Sequence, residues 1–342
     1  MSASARLAHW HPIAKALDVR SAALRGKPVA FRLDGEDYVV FRNAGGRYGA
    51  LPRACPHRRA DLARGRIKGE RLACEYHGWA IHPDGSIQSP ANPDLAQSAG
   101  CLEVAQRHGA LWVRRSGSST TFPSFDFDGY REAGIFTHRV RAPMQVVLDN
   151  FVEVEHTSFV HAFLGYPTSA LPTVSVDIEK TASTVRVINV GPQRMLPLPI
   201  RALMGIGKDD LFVDDWVTYF SPVYSVYDHY WRSPDGERRE NALKTVVFFN
   251  PVDESETELW SFTAASSPLM RLPFIKTPMR SLVRFFLELE IRLDRRLVES
   301  LHSKDPSMRG MKLGRFDKVM WETRSRVESI YDRAESNKAI SG

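Results

Sequence analysis

Residues 55–79 read CPHRRADLARGRIKGERLACEYHGW, and this stretch decides the fold of the first third of the chain. It contains two short arms, Cys55-Pro56-His57 and Cys74-Glu75-Tyr76-His77, separated by sixteen residues. Each arm offers one soft thiolate and one imidazole. Both groups bind transition metals, so the stretch predicts a metal-containing site at which two loops meet.

The four predicted ligands, Cys55, His57, Cys74 and His77, are compatible with two kinds of site. They can hold a [2Fe–2S] cluster with both thiolates on one iron and both imidazoles on the other, which raises the potential above that of an all-cysteine cluster. They can also form a structural Cys2His2 zinc site. Zinc fingers usually pair Cys with Cys and His with His, whereas each arm here is mixed, and this favours the cluster.

The motif C-P-H-R-R, followed by C-E-Y-H-G-W and an Asp84-Gly85 turn, resembles the Rieske domain of Rieske non-haem iron oxygenases. Respiratory Rieske proteins resemble it less, because they carry an extra cysteine beside each arm, where Arg58 and Glu75 stand here. The resemblance therefore implies an oxygenase or a Rieske ferredoxin.

The composition is that of an ordinary globular protein, with 342 residues of which 43% are hydrophobic and 25% charged. This length predicts two domains. Of the three cysteines, Cys101 lies outside the motif, so no disulfide framework is expected and a cytoplasmic location fits. The first residues, 1–11, lack the apolar core of a signal peptide. No apolar run is long enough to predict a membrane span.

The net charge of +6 indicates an acidic partner rather than nucleic acid. Nucleic-acid binding would require dense clusters of Lys and Arg interleaved with aromatic residues, and the sequence has none. An acidic electron donor, a reductase or a ferredoxin, is the expected partner.

The N-terminal part predicts an all-β domain. Strands over 29–32 and 38–41 flank Asp34-Gly35, which is a hairpin signal, and residues 110–113 form a plausible closing strand. A polar, proline-containing linker follows at 116–128, so we place the domains at 1–118 and 119–342. Four histidines outside the motif are assigned to surface or packing roles: His9, His11, His82 and His108.

The second part predicts an antiparallel sheet with a long C-terminal helix, so that the fold class is α+β. A helix is expected over 140–161, an irregular loop over a pocket at 196–215, and strands near 173–190, 216–230, 243–250 and 257–265. An apolar stripe of the C-terminal helix recurs at three- and four-residue steps: Leu282, Phe286, Leu289, Leu293, Leu297 and Leu301. This arrangement resembles the helix-grip (START-like) catalytic domain of Rieske oxygenases.

A second metal site is predicted at His156 and His161. Two imidazoles and one carboxylate on one face of Fe(II) leave positions open for dioxygen. A five-residue spacing separates the two side chains by about 140° on a regular helix, so the helix must widen or end between them. The family motif N-x-x-D-x-x-H-x-x-x-x-H supports the assignment, because Asn150 and both histidines match it.

The third ligand is assigned to Asp294 by resemblance, since the family places an acidic residue on the C-terminal helix. Glu290 is the alternative ligand. Asp294 could also be a solvated charge paired with a neighbouring arginine, but it borders the apolar stripe and can therefore point inward.

Glu153 stands where the family has Asp. In the family, that Asp contacts a ligating histidine and bonds a Rieske histidine of the neighbouring subunit, which would be His77, within a homotrimer. Glu153 lies three residues before His156, so on a helix the two side chains are neighbours, whereas Glu155 points away. The resemblance implies catalytic roles for Glu153 and Asn150.

These observations predict the terminal oxygenase of a multicomponent Rieske system, similar to vanillate- and dicamba-type O-demethylases. It would use O2 and electrons from a separate reductase or ferredoxin, with NAD(P)H acting only indirectly, to hydroxylate or demethylate an apolar or aromatic substrate. The predicted pocket walls are Phe151, Val152, the 196–215 loop, Trp216, Phe248 and Phe262. The alternative is a Rieske electron carrier fused to a helix-grip ligand-binding domain without oxygenase activity.

Overall fold

A computed structural model describes residues 5–161, 163–271 and 273–333. The chain divides into two compact units. Within the described residues, the first contains 5–123 with 250–254 and 333, and the second contains 124–249 with 255–332.

The first unit is built from short β-strands, as predicted. Its six-stranded sheet has the order β1-β10-β9-β4-β3-β2, and a four-stranded sheet has the order β5-β6-β7-β8. The strands are β1 (His11–Lys15), β2 (Val29–Leu33), β3 (Glu36–Arg42), β4 (Tyr48–Pro52), β5 (Arg66–Lys68), β6 (Arg71–Ala73), β7 (Ala80–Ile81), β8 (Ile87–Gln88), β9 (Leu102–Arg107) and β10 (Ala110–Arg115). One helix, α1 (Ala16–Leu24), was not expected from the sequence.

The predicted hairpin between β2 and β3 is confirmed. Asp34 and Gly35 both have positive φ, at 51° and 81°, which is the two-residue turn whose twist matches that of antiparallel strands. The smaller sheet carries the two arms of the motif. One arm precedes β5, and the other connects β6 to β7.

The second unit contains a seven-stranded antiparallel sheet with the order β11-β17-β16-β15-β14-β13-β12. Its strands are β11 (Arg131–Val140), β12 (Ser175–Lys180), β13 (Thr184–Pro192), β14 (Leu211–Phe220), β15 (Val223–Arg232), β16 (Arg238–Pro251, which enters the first unit) and β17 (Thr257–Ser266). Its helices are α2 (Met144–Phe151), α3 (Thr157–Val160), α4 (Leu198–Leu203), α5 (Pro273–Ser300) and α6 (Lys318–Arg326), the last followed by a π-helical turn at Val327–Tyr331. The predicted α+β fold class is confirmed.

The long C-terminal helix exists, but its predicted buried face is wrong. Among the residues of α5 whose burial is described, the buried ones are Leu287, Glu290, Ile291, Asp294 and Val298. The leucines of the predicted stripe are only half-buried, apart from Leu301, which is exposed and follows the helix. Two carboxylates occupy the centre of the buried face. A prediction from hydrophobic residues alone therefore chose the neighbouring face, whose positions are about one residue earlier in the sequence.

The helix predicted over 140–161 is two helices instead. β11 continues to Val140, Pro143 precedes the first turn of α2, and α3 begins only at Thr157. Glu153 lies in the turn between them, where its Oε2 accepts hydrogen bonds from the backbone N–H groups of Glu155 (2.6 Å) and His156 (3.3 Å). A side chain that accepts hydrogen bonds from backbone N–H groups in this way stabilises a turn where a continuous helix would otherwise form.

The strands predicted at 173–190 and 216–230 are each hairpins of two strands, because turns at 181–183 and 221–222 reverse the chain. The segment 196–215 is also more ordered than predicted, since it contains α4 and the start of β14. Within the described part of the chain, no helix combines the length and apolar character needed to cross a membrane.

Candidate iron–sulfur and mononuclear metal sites

The two arms of the motif form loops with the same backbone hydrogen bonds. In each loop the N–H of the cysteine donates to the carbonyl five residues on, at 2.8 Å in the first loop and 2.7 Å in the second. Each cysteine carbonyl accepts from the N–H four residues on, at 2.9 and 3.1 Å. That fourth residue has positive φ in both loops, at 57° for Arg59 and 71° for Gly78. Two different sequences therefore adopt one turn geometry.

The loops bring the four predicted ligands together in an asymmetric way. Cys55 and Cys74 are buried in one hydrophobic cluster, whereas His57 and His77 are exposed. The two imidazole rings meet edge to face with centroids 4.7 Å apart. His57 also stacks on Trp79 at 4.5 Å. Buried thiols beneath exposed imidazoles suit a cluster whose cysteine-bound iron is inside and whose histidine-bound iron faces outward.

Replacing His57 by Cys is expected to retain a [2Fe–2S] cluster and to lower its reduction potential, by on the order of 100 mV, because a charged thiolate replaces a neutral ligand. Redox titration monitored in the visible range measures the shift. His82→Cys, outside both loops, is the control for an added thiol. An unchanged potential in a His57→Cys protein that still holds its cluster would exclude His57 as a ligand.

A second group of ligand atoms lies in the second unit, between α3 and α5. Oδ1 of Asp294 is 3.1 Å from Nε2 of His156 and 3.0 Å from Nε2 of His161, and the two nitrogens are 3.3 Å apart. Among the described residues this is the one compact group of three or more such side chains. Ligands on one face of an octahedral ion are about 3 Å apart when the metal–ligand distance is about 2.1 Å. The spacing therefore fits a metal bound by two imidazoles and one carboxylate.

The break between α2 and α3 brings the two histidines to one point. His156 immediately precedes α3 and His161 immediately follows it, so neither is held at the angle of a regular helix. The carbonyls of Ser158 and His161 accept hydrogen bonds from the guanidinium of Arg194, which holds the end of this short helix.

The far nitrogen of each imidazole faces a carboxylate. Nδ1 of His156 contacts Oε1 of Glu153, and Nδ1 of His161 contacts Oε2 of Glu290. A carboxylate at Nδ1 fixes the proton there and leaves the Nε2 lone pair available to a metal. The donor set thus fits Fe(II), and its residues would present both Nε2 atoms to the ion.

The two imidazoles and the carboxylates of the site strongly shift one another's pKa values. Burial lowers the pKa of His156, but the Asp294 and Glu153 carboxylates outweigh it and raise the pKa to about 9. Burial also lowers the pKa of His161, while Asp294 and Glu290 raise it to about 10. Burial raises the pKa of Asp294, but the two imidazoles outweigh it and hold that pKa below its usual value. Three carboxylates, two of them buried, around two imidazoles suit a divalent cation.

Asn150 lies beside His156, His161 and Asp294, the three residues called the triad from here on. Its Nδ2 donates to Oδ1 of Asp294 at 3.1 Å, so it orients the carboxylate. The adjacent Asp149 points away and forms an ion pair with Arg324.

Glu290 is not placed as the alternative third ligand. Its Oε1 accepts from the backbone N–H of Phe163 at 3.2 Å, and its other oxygen contacts Nδ1 of His161. We expect Glu290→Gln to weaken metal binding by about 10- to 100-fold without removing a ligand, because the amide no longer holds the imidazole with a charge. Competition with a chelator measures this affinity. Glu288→Gln, half-buried on the same helix, is the matched control and should leave the affinity unchanged.

A cavity of about 80 Å³ opens over the triad. Of the predicted wall residues, Phe151 and Trp216 line it, but Val152, Phe248 and Phe262 do not. Val152 is packed in the core. Phe248 and Phe262 pack with Phe125 instead, because successive residues of a strand point to opposite faces.

The sequence reasoning missed a polar pair in the cavity wall. Nε2 of His229 lies 3.0 Å from Oδ1 of Asp214, and both side chains are largely buried. The two residues are opposite each other across β14 and β15. The turn at 221–222 could have revealed this pair from the sequence, because the position of the turn fixes which residues of the two strands are opposite each other.

Two family models match the chain. Residues 9–99 match the Rieske [2Fe-2S] domain, and residues 140–333 match the vanillate O-demethylase oxygenase C-terminal domain. A 5,5'-dehydrodivanillate O-demethylase oxygenase subunit from Sphingobium is 38% identical over 109 residues, covering 32% of this chain and 25% of the relative. A vanillate O-demethylase oxygenase subunit from Pseudomonas is 26% identical over 251 residues, covering 66% and 74%. The chain spans about a quarter of the length of the first curated relatives it matches.

Solved structures show the same fold. Dicamba monooxygenase bound to 3,6-dichlorosalicylic acid superimposes with a TM-score of 0.81 at 16% identity, covering 98% of this chain and 100% of that one. Pseudomonas putida NdmA with caffeine gives a TM-score of 0.74 at 22% identity, covering 95% and 91%. The second family match covers more than half of the chain, and the chain therefore belongs to the vanillate O-demethylase oxygenase family of Rieske non-haem iron oxygenases.

Proposed function

We propose that this protein is the terminal oxygenase of a multicomponent Rieske system, with a [2Fe–2S] cluster on Cys55, His57, Cys74 and His77 and a mononuclear Fe(II) on His156, His161 and Asp294. The observation that carries the proposal is the second group: three ligand atoms converge within 3.3 Å in a buried cavity, and carboxylates lie behind both imidazoles. A protein that only carries electrons requires the cluster and not a second metal site of this kind.

The residues around the triad define the reaction class. When bound, the cluster supplies single electrons and the ferrous ion activates O2, which together permit hydroxylation or oxidative demethylation. Asn150 orients Asp294, while Glu153 holds the proton on Nδ1 of His156. Aromatic walls, including Trp216 and Tyr227, favour an apolar or aromatic substrate. Relatives named for vanillate, dehydrodivanillate and phthalate support this substrate class.

Electrons are proposed to come from a separate, acidic reductase or ferredoxin, with NAD(P)H acting only through that partner. The stretch 55–79 contains six basic and three acidic residues. Arg58 and Arg59 are exposed next to His57. The surface around the histidine end of the cluster site is therefore positively charged, and it would attract an acidic electron donor.

A homotrimer in the cytoplasm is proposed as the working form. Head-to-tail contacts between identical subunits close into a ring, and such contacts would bring the exposed His77 of one subunit to Glu153 of the next. The cytoplasmic assignment is supported by the cysteines: Cys55 and Cys74 are assigned to the cluster, which leaves Cys101 without a second cysteine for a disulfide.

A substrate-dependent oxygen-uptake screen tests this function. The purified protein, a generic reductase and NAD(P)H are combined with methoxylated and unsubstituted aromatic acids, and O2 consumption is recorded. We expect at least one compound to stimulate uptake and to yield a hydroxylated or demethylated product, and we expect His156→Ala to yield none. If no compound stimulated uptake or gave product in the wild type, the oxygenase assignment would be wrong and the carrier fused to a ligand-binding domain would be favoured. Product formed by His156→Ala at the wild-type rate would instead contradict the placement of the iron at His156.

A further inference from the structure

A second cavity adjoins the one over the triad and is the larger of the two, at about 300 Å³ against 80 Å³. Leu164, Leu287 and Glu290 line both cavities. These shared residues form a neck, defined here as the boundary between the triad cavity and the second cavity.

The two cavities follow one another along α5. Residues of this helix from Met279 to Glu290 line the second cavity, and those from Leu287 to Asp294 line the triad cavity. The sheet shows the same order, since Leu243 lines the second cavity and Thr245 lines the first. The sixteen residues from Met279 to Asp294 span about 22 Å of helix. The combined space is therefore elongated rather than round.

The walls of the second cavity are almost entirely apolar. Its side chains include Phe163, Trp231, Leu243, Val283 and Phe286. Its one ionisable lining residue is Glu290, which is already engaged by His161 and by the N–H of Phe163. Its uncharged polar lining residues are Asn241, Ser266 and Ser267. A space lined mainly by apolar side chains gains free energy when an apolar group replaces water.

We infer that the substrate is an elongated, mainly apolar molecule, with its reacting carbon at the triad and its remaining bulk in the second cavity. This inference rests on the proposed function for the position of the reacting carbon. A single aromatic ring fills the triad cavity and leaves the second cavity unused, so the natural substrate carries a fused ring system or a long hydrocarbon substituent beyond the neck.

Two substitutions narrow the second cavity without touching the triad. Val283→Phe adds bulk from α5, and Ala265→Leu adds it from β17, and neither residue lines the first cavity. Ser281→Phe adds the same bulk on the exposed face of α5 and is the matched control. Two independent sites keep the test interpretable if one variant fails to fold.

Equilibrium dialysis of the iron-loaded protein against 4-alkylanisoles, from methyl to hexyl, measures the effect. In the wild type and in Ser281→Phe, we expect Kd to fall about fourfold for each added methylene, the value expected for a buried CH2 group. In Val283→Phe and Ala265→Leu the gain should stop after the shorter members. A Kd independent of chain length in the wild type, or the same gain in all four proteins, would overturn the inference.

Binding rather than turnover is measured, so the outcome is separable from the proposed function. Failure of the chain-length effect in a protein that demethylates anisoles would overturn only the substrate shape. A chain-length effect in a protein that forms no product with any substrate would support the shape and contradict the oxygenase.

Discussion

Replacing Asp294 by alanine is expected to abolish turnover and mononuclear iron binding while leaving the Rieske spectrum intact. Oδ1 of Asp294 lies within 3.1 Å of both ligating imidazole nitrogens, so its loss removes the only carboxylate that reaches both of them among the described residues. Glu153 and Glu290 contact the far nitrogens and cannot take its place without leaving them. His156→Ala should give the same result.

Metal analysis, visible absorption and product formation measure this outcome together. We expect about two irons per chain in the variant, those of the cluster. Glu288→Gln is the control, because that carboxylate is six residues away on α5 and pairs with Arg292. Full activity and full iron content in Asp294→Ala would show that the third ligand lies elsewhere.

Replacing Glu153 by glutamine is expected to retain both metal sites and the proposed trimer but to slow electron delivery between the two metal sites by orders of magnitude. The carboxylate contacts Nδ1 of His156 and accepts from two backbone N–H groups, so its position is fixed. Glutamine keeps the size of the side chain and removes its charge. It therefore weakens the link through which an adjacent subunit's cluster would communicate with His156.

Single-turnover kinetics on pre-reduced protein decides this prediction. Glu155→Gln is a closely matched control, since Glu155 is two residues away in the same turn and its side chain is exposed. The control should form product at the wild-type rate. If Glu153→Gln did so too, Glu153 would not connect the two centres.

The two cluster loops could be predicted from the sequence because the residues that fix their geometry are close together in the chain. Each loop closes within six residues, with one turn residue at positive φ, so the ligands need no distant partner to be positioned. The predicted contact between Glu153 and His156 is likewise local, spanning three residues. The prediction explained this contact by the spacing of residues on a helix, and that explanation was wrong, because Glu153 lies in a turn rather than on a helix.

The buried face of α5 was not readable from hydrophobicity. Glu290 and Asp294 are each about 4% exposed and occupy positions that a purely structural helix would fill with leucine. The hydrophobic pattern therefore indicated a neighbouring face. A site that buries its carboxylates disrupts the very pattern from which a core is predicted.

The remaining contacts depend on pairings that are distant in sequence. The pair Asp214 and His229 follows from the register of β14 and β15, and the contact between Glu290 and His161 follows from how α5 packs beside α3. Neither register nor packing leaves a signal in a short window of sequence. The shape of the cavity depends on both, so the second cavity could be seen only in the structure.

Iron and acid-labile sulfide analysis of the purified, reconstituted protein tests the central claim most directly. An oxygenase with both sites holds about three irons and about two sulfides per chain, with His156→Ala reduced to about two irons and an unchanged sulfide content. A wild-type protein that saturates at about two irons, with the same content in His156→Ala, would contradict the second site and with it the oxygenase.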